Sequence, residues 1–120
     1  MAIPYLKLQP EEAIKVLEKW IIQGNKIKDT ITNEYNHLKE LGSWGDNSTT
    51  IEARTKWRKW EVEWTNDCLG DLQNVFTSPR ELFSFRDARP PFGVTSEDVQ
   101  YVGIKDRLSA RLDKLNHYTY

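Results

Sequence analysis

Cysteine is nearly absent from this chain: Cys68 stands alone, so no disulfide can form within it, and the fold must rest on a packed core. That single thiol sits among apolar helical positions, where a free cysteine behaves as a small hydrophobe, and it points to a reducing compartment. Net charge is also missing. Seventeen Lys and Arg against eighteen Asp and Glu leave a formal charge of -1, which removes the simplest argument for a nucleic-acid binder or a membrane-surface protein. No run reaches the roughly 18 to 20 apolar residues that a membrane-spanning helix needs, and no basic stretch followed by an apolar segment opens the chain. The chain therefore reads as cytoplasmic. Internal repeats and low-complexity segments are lacking too.

The motifs of familiar chemistry are equally scarce. There is no glycine-rich phosphate loop, no GxSxG turn and no HExxH. The two histidines, His37 and His117, lie far apart; Glu40 follows the first at i+3 and Asp113 precedes the second at i−4, without an evident third ligand. Cys68 would need a histidine base and an orienting group to act as a nucleophile, and core filler is the simpler reading. Paired carboxylates such as Glu61 and Glu63 point to different sides of a helix and read as a solvated face. No catalytic, cofactor-binding or metal residues are assigned, and the chain is not expected to be an enzyme.

What the chain does hold is aromatic: five Trp, five Tyr and four Phe in 120 residues, enough to argue against disorder. Three of the tryptophans fall between Trp57 and Trp64. Ala53, Trp57, Trp60, Trp64, Cys68, Leu72 and Val75 recur at three or four residues and so form one helical stripe. Truncating a buried tryptophan costs about 3–5 kcal/mol, so this stripe should dominate a small core.

Taken in order, residues 1–8 read as a short extended arm. Pro10 with Glu11 and Glu12 opens a first long helix, carried by Ala13, Leu17, Trp20, Ile21, Gly24, Ile27, Ile31, Tyr35, Leu38 and Leu41 and closed by Gly42. Gly24 marks either a bend or a close helix crossing. Residues 42–48 read as a loop, and Trp44, between Gly42 and Gly45, either folds back as a plug or is offered to a partner. Thr49 and Glu52 fit a capping box that starts the tryptophan helix, which runs to about Phe76. Ser78, Pro79 and Glu81 restart a short helix bearing Leu82, Phe83 and Phe85. Residues 87–94, with Pro90 and Pro91, form a surface crossing. Ser96 caps a last helix with Tyr101, Ile104, Leu108, Leu112, Leu115 and Tyr118 on its inner face. This helix has no stop signal before Tyr120, which reads as a module whose continuation lies beyond the sequence.

The expected fold is an all-α bundle of three long helices plus one short helix with a short extended N-terminal arm, a single helical domain over residues 1–120. Its tryptophan stripe should pack against Ile21, Ile27 and Ile31 and against Ile104, Leu108 and Leu112. Candidate partner-binding residues are Trp44, Arg86, Arg89, Phe92, Tyr118 and Tyr120, since Arg and aromatics are enriched at interface centres; Phe92 alternatively pins its crossing to the bundle. Arg54, Lys56, Arg58 and Lys59, interleaved with Trp57 and Trp60, resemble the stacking-plus-cation pattern that holds single-stranded nucleic acid. The phase of the tryptophans turns them inward and leaves the cations outside, offset by Glu61 and Glu63.

With Trp20 and Gly24 on a long helix, a Trp-rich helix ending in Leu72-Gln73-Asn74-Val75-Phe76, a Ser78-Pro79 restart with Phe83 and Phe85, and a last helix from Gly103-Ile104 to Leu115, the pattern resembles the helical N-terminal module of bacterial TIR-like or nucleotide-binding effector proteins, antiphage defence proteins among them. The resemblance implies a recognition or oligomerisation platform, with catalysis located downstream and on no residue of this chain. The function expected is thus a non-catalytic interaction or oligomerisation module for a protein partner or a second copy, with no membrane. The alternative is a small nucleic-acid-binding or inhibitor protein complete in itself.

Overall fold

Pro10 has no amide hydrogen to lose, and its fixed φ suits the first helical position. From it the chain runs helically for 31 residues, Pro10–Glu40, which we call α1. The computed structural model describes residues 6–45, 47–77, 79–88 and 99–119. Within these follow α2 (Ser48–Val75), α3 (Pro79–Arg86) and α4 (Val99–Thr119). The all-α architecture expected from the sequence is what the described residues show: three long helices, one short, no strand. The bundle is elongated, measuring 50 × 24 × 19 Å.

Both ends of the first loop are set by local hydrogen bonds. Gly42, at φ 69°, adopts the left-handed conformation that glycine takes without steric cost. This lets its amide donate to the Lys39 carbonyl and the Ser43 amide donate to the Leu38 carbonyl, closing the last turn of α1. At the far end the capping box expected from Thr49 and Glu52 is not the one used. Asn47 is the N-cap, its Oδ1 accepting from the Thr50 amide at 2.9 Å. The Thr50 hydroxyl, fully buried, accepts from the Gly45 amide and donates to the Ser43 carbonyl instead. The helix therefore starts a residue ahead of Thr49. At its other end it stops at Val75, and Phe76 is extended.

The residues expected to form the core form it. Trp57, Cys68, Leu72 and Val75 of α2 are fully buried, as are Leu17 and Ile31 of α1 and Leu108 and Leu115 of α4, with Trp64, Ile104 and Leu112 nearly so. Every expected inner-face position of α4 is buried, Tyr118 included. Ile21 and Ile27 pack against the cluster from its edge. Gly24 marks a crossing, not a bend: a Cβ there would lie 2.6 Å from Trp64 Cζ2 and 2.7 Å from Leu112 Cδ2, so three helices meet where a side chain is missing. Because no side chain intervenes, the Trp64 indole N–H reaches the Trp20 carbonyl one turn back, at 3.2 Å. The other buried indoles are satisfied as well: Trp20 donates to Asp71 Oδ2 at 2.7 Å and Trp57 to Glu34 Oε1 at 3.4 Å.

Two neighbours in α2 depart from the expected pattern. At ~100° per residue, Trp60 lies ~60° to one side of Trp57 and Glu61 ~40° to the other. Trp60 is accordingly only half-buried, at the groove between α1 and α2, whereas Glu61 is buried among α2, α3 and α4. The expectation that Glu61 stands on the solvated face with Glu63 is corrected: only Glu63 is exposed.

Of the N-terminal arm, Leu6 pairs with Phe76 in an isolated antiparallel bridge, and the Lys7 amide donates to the Val75 carbonyl at 2.7 Å. Residues 1–5, the caps Ser78 and Ser96, and the crossing with Arg89, Pro90, Pro91 and Phe92 lie outside the described residues, as does Tyr120. Among the described residues no helix is long and apolar enough to cross a membrane.

Candidate functional site

The sequence-chosen candidates are dispersed. Trp44 folds back onto the bundle: its ring stacks on Trp57 at 5.5 Å and 16° and meets Tyr35 edge-on at 4.9 Å. Tyr101 completes this cluster, stacked on Tyr35 at 3.7 Å. The side-chain hydrogen bonds between Ser43 and Thr50 hold the loop in place beneath it. Tyr118 is buried at the opposite end, its ring edge-on to Phe76 and its hydroxyl donating to the Glu81 carbonyl at 3.0 Å. Arg86 is exposed and forms a two-bond pair with Asp87 at 2.9 and 3.0 Å. Arg89, Phe92 and Tyr120 lie outside the described residues.

The four cations of the tryptophan helix do not present one basic stripe. Arg54 lies over the Trp44 ring at 5.1 Å. Lys56 pairs with Glu34 across to α1 and sits over Trp60. Lys59 leans towards Glu63 one turn on, at 3.8 Å. Arg58 alone points to another feature, a pocket at the junction of α2, α3 and α4.

Two surface features are built rather than incidental. The first is an aromatic groove of 320 Å³ between α1 and α2, with Trp20, Trp60, Trp64 and Ile27 as its apolar lining. Its α1 rim carries Lys26, and its α2 rim carries Glu63 and Asp67. Lys56, over Trp60 at 5.2 Å, extends one end. A half-exposed indole beside two buried ones places a large apolar surface within reach of a partner.

The second feature is a pocket of 330 Å³ lined by Arg58 and Glu61 of α2, Arg86 of α3, and Arg107 and Arg111 of α4. Glu61 is its organising residue. Arg107 donates to it through Nε at 2.7 Å and Nη2 at 2.9 Å, a geometry that matches the fork of a guanidinium to a carboxylate. Arg111 adds a third bond through Nη1 at 3.0 Å, and it donates from Nε and Nη2 to the Arg86 carbonyl, which ties α4 to the end of α3. The Glu61 hydrogen bonds push the Arg107 guanidinium further above its ordinary pKa, and the Asp87 hydrogen bonds do the same for Arg86. Gly103, one turn before Arg107, leaves room for its Nη1, since a Cβ there would stand 3.1 Å away.

Sequence reasoning passed over this cluster, although a signal for it existed. Arg107 and Arg111 are spaced i, i+4, and each directly precedes an inner-face leucine, Leu108 or Leu112. They therefore flank the apolar face of α4 on one side, where a carboxylate beside the tryptophan stripe can meet them. Among the described residues no group of three His, Cys, Asp or Glu is placed to hold a metal ion. Compared with known proteins, the chain matches no family model, no curated protein and no solved structure.

Proposed function

We propose that this chain is a non-catalytic helical interaction module that associates with a second copy of itself through the aromatic groove of α1 and α2. The observation that carries the reading is the charge arrangement around the groove: Lys26 on one rim faces Glu63 and Asp67 on the other, with Trp60 half-exposed between them. A two-fold axis through such a groove sets the basic rim of each copy against the acidic rim of its partner while the Trp60 indoles bury one another. This is the self-complementarity that an isologous contact requires. A cytoplasmic location and the resemblance to the helical platforms of bacterial defence effectors, both expectations from the sequence, are compatible with a module of this kind.

Light scattering on the eluting protein across a concentration series tests the reading. A mass rising from 14.1 kDa towards twice that value is expected. Lys26→Glu should abolish the rise, and adding Glu63→Lys to that variant should restore it. A monomer at every concentration would sink the proposal, and so would a dimer indifferent to both substitutions.

A further inference from the structure

We infer that the arginine pocket at the α2–α3–α4 junction is a binding site for a phosphate monoester dianion. The inference starts from charge. Four arginines, Arg58, Arg86, Arg107 and Arg111, line one pocket together with Glu61. Glu61 spreads a single negative charge over two of them, Arg107 and Arg111. Arg86 is balanced by Asp87. Arg58 makes no ion pair among the described residues. Two positive charges are thus left over, one on the exposed Arg58 and one shared between Arg107 and Arg111, of which Arg111 is only 8% exposed. Holding surplus charge at a partly desolvated site is costly unless an anion completes it.

The donors left over have the right character. Arg107 spends Nε and Nη2 on Glu61 and keeps Nη1, for which Gly103 leaves space. Arg111 spends all three nitrogens on Glu61 and the Arg86 carbonyl, so it acts as a fixed charge behind the site. Arg58 brings a complete guanidinium from the next element. Glu61 is then a positioning residue: it holds two arginines side by side that would otherwise repel, with Nη1 of Arg107 left unspent. A phosphate monoester carries a charge of about −1.5 to −2 at neutral pH, with three acceptor oxygens on one centre. That matches two surplus charges within one small pocket better than the single charge of a carboxylate, or the two separated charges of a dicarboxylate. A volume of 330 Å³ admits a phosphoryl group with a small organic substituent.

Isothermal titration at low ionic strength with glycerol 2-phosphate, inorganic phosphate and succinate tests the inference on the full chain. The monoester should bind and raise the melting temperature in proportion to the logarithm of its concentration. Inorganic phosphate should bind comparably if the phosphoryl group alone is read, and less tightly if the ester substituent is also held. Arg58→Ala removes no contact that the fold uses and should weaken binding by about tenfold, whereas Lys59→Ala, one position along the same helix, should leave it unchanged. Absence of heat and of any melting shift with both phosphates overturns the site. Succinate binding as tightly as the monoester overturns the assignment of the ligand, and equal losses in the Arg58 and Lys59 variants reduce it to general surface charge.

Discussion

The Glu61 carboxylate accepts from both Nε and Nη2 of Arg107, at 2.7 and 2.9 Å, from a position in the middle of the tryptophan helix where it is 4% exposed. A charge so placed is tolerated only because its lone pairs are occupied, by Arg107 and, at 3.0 Å, by Arg111. The asymmetry of buried pairs then dictates the outcome of removing it: the pair adds modestly to stability, yet two guanidinium groups left without a counter-charge cost far more. Glu61→Ala should lose about 3–5 kcal/mol in urea denaturation. A loss below about 1 kcal/mol, the size of an exposed pair, would show that water already screens the cluster.

At Gly24 two effects of opposite sign compete. Replacing a helical glycine by alanine ordinarily gains about 1 kcal/mol from backbone propensity. Here the new methyl group would stand 2.6 Å from Trp64 and 2.7 Å from Leu112, both held on the far side by other core residues. Overpacking of this kind costs about 1–3 kcal/mol and displaces its neighbours. Gly24→Ala should therefore destabilise, with a change in tryptophan fluorescence as the Trp64 indole is pushed off the Trp20 carbonyl. A stabilised variant with unchanged fluorescence would mean that α1 is free to move away.

Cys68 is expected to be inert. It is fully buried, and desolvation, with Asp71 adding to it, pushes the thiol pKa far up. Since the thiolate is the reactive form, a thiol reagent at neutral pH should label the native protein only as fast as it opens, and labelling should become immediate in denaturant. Rapid, stoichiometric labelling of the folded protein would contradict the burial.

How much of this was legible beforehand differs from helix to helix. The inner face of α4 read correctly at every position from Tyr101 to Tyr118, because its large apolar residues lie on one side with little competition from the flanks. On α2 the stripe was right for Trp57, Trp64, Cys68, Leu72 and Val75. The flanks were not decidable, since Trp60 and Glu61 are nearly equidistant from the stripe and only the identity of the neighbouring helices determines which turns inward. The cap of α2 was misplaced because Asn47 and Thr49 are both good capping residues; the loop decides between them by taking the Thr50 hydroxyl for its own amide and carbonyl. The arginine pocket needed three elements at once, and no single stretch of sequence holds all three. The spacing of Arg107 and Arg111 shows the cations, but Glu61 is 46 residues away from the first of them.

Tyr118 supplies the pH dependence. Burial, the largest influence, raises its phenol above the ordinary value near 10, with Glu81 adding to the rise and a Ser84 hydrogen bond opposing it. A pKa higher in the folded state than in the unfolded chain means that the fold favours the neutral phenol. The corresponding stability is complete below about pH 10 and is lost as pH climbs through the folded value. Tyr118→Phe keeps the ring against Phe76 but deletes the hydroxyl that donates to the Glu81 carbonyl. Near neutral pH this variant should be weaker than the parent by about 0.5–1.5 kcal/mol, the ordinary worth of one hydrogen bond. As the pH rises beyond about 10 the unfolded parent alone ionises at this position while the fold keeps the phenol neutral, so the difference between the two should shrink. Urea midpoints for both proteins, taken at matched pH on either side of that value, measure the difference directly and cancel the titration of every other group. A gap that stays constant across the range would place the Tyr118 hydroxyl in water rather than at the seam between α3 and α4.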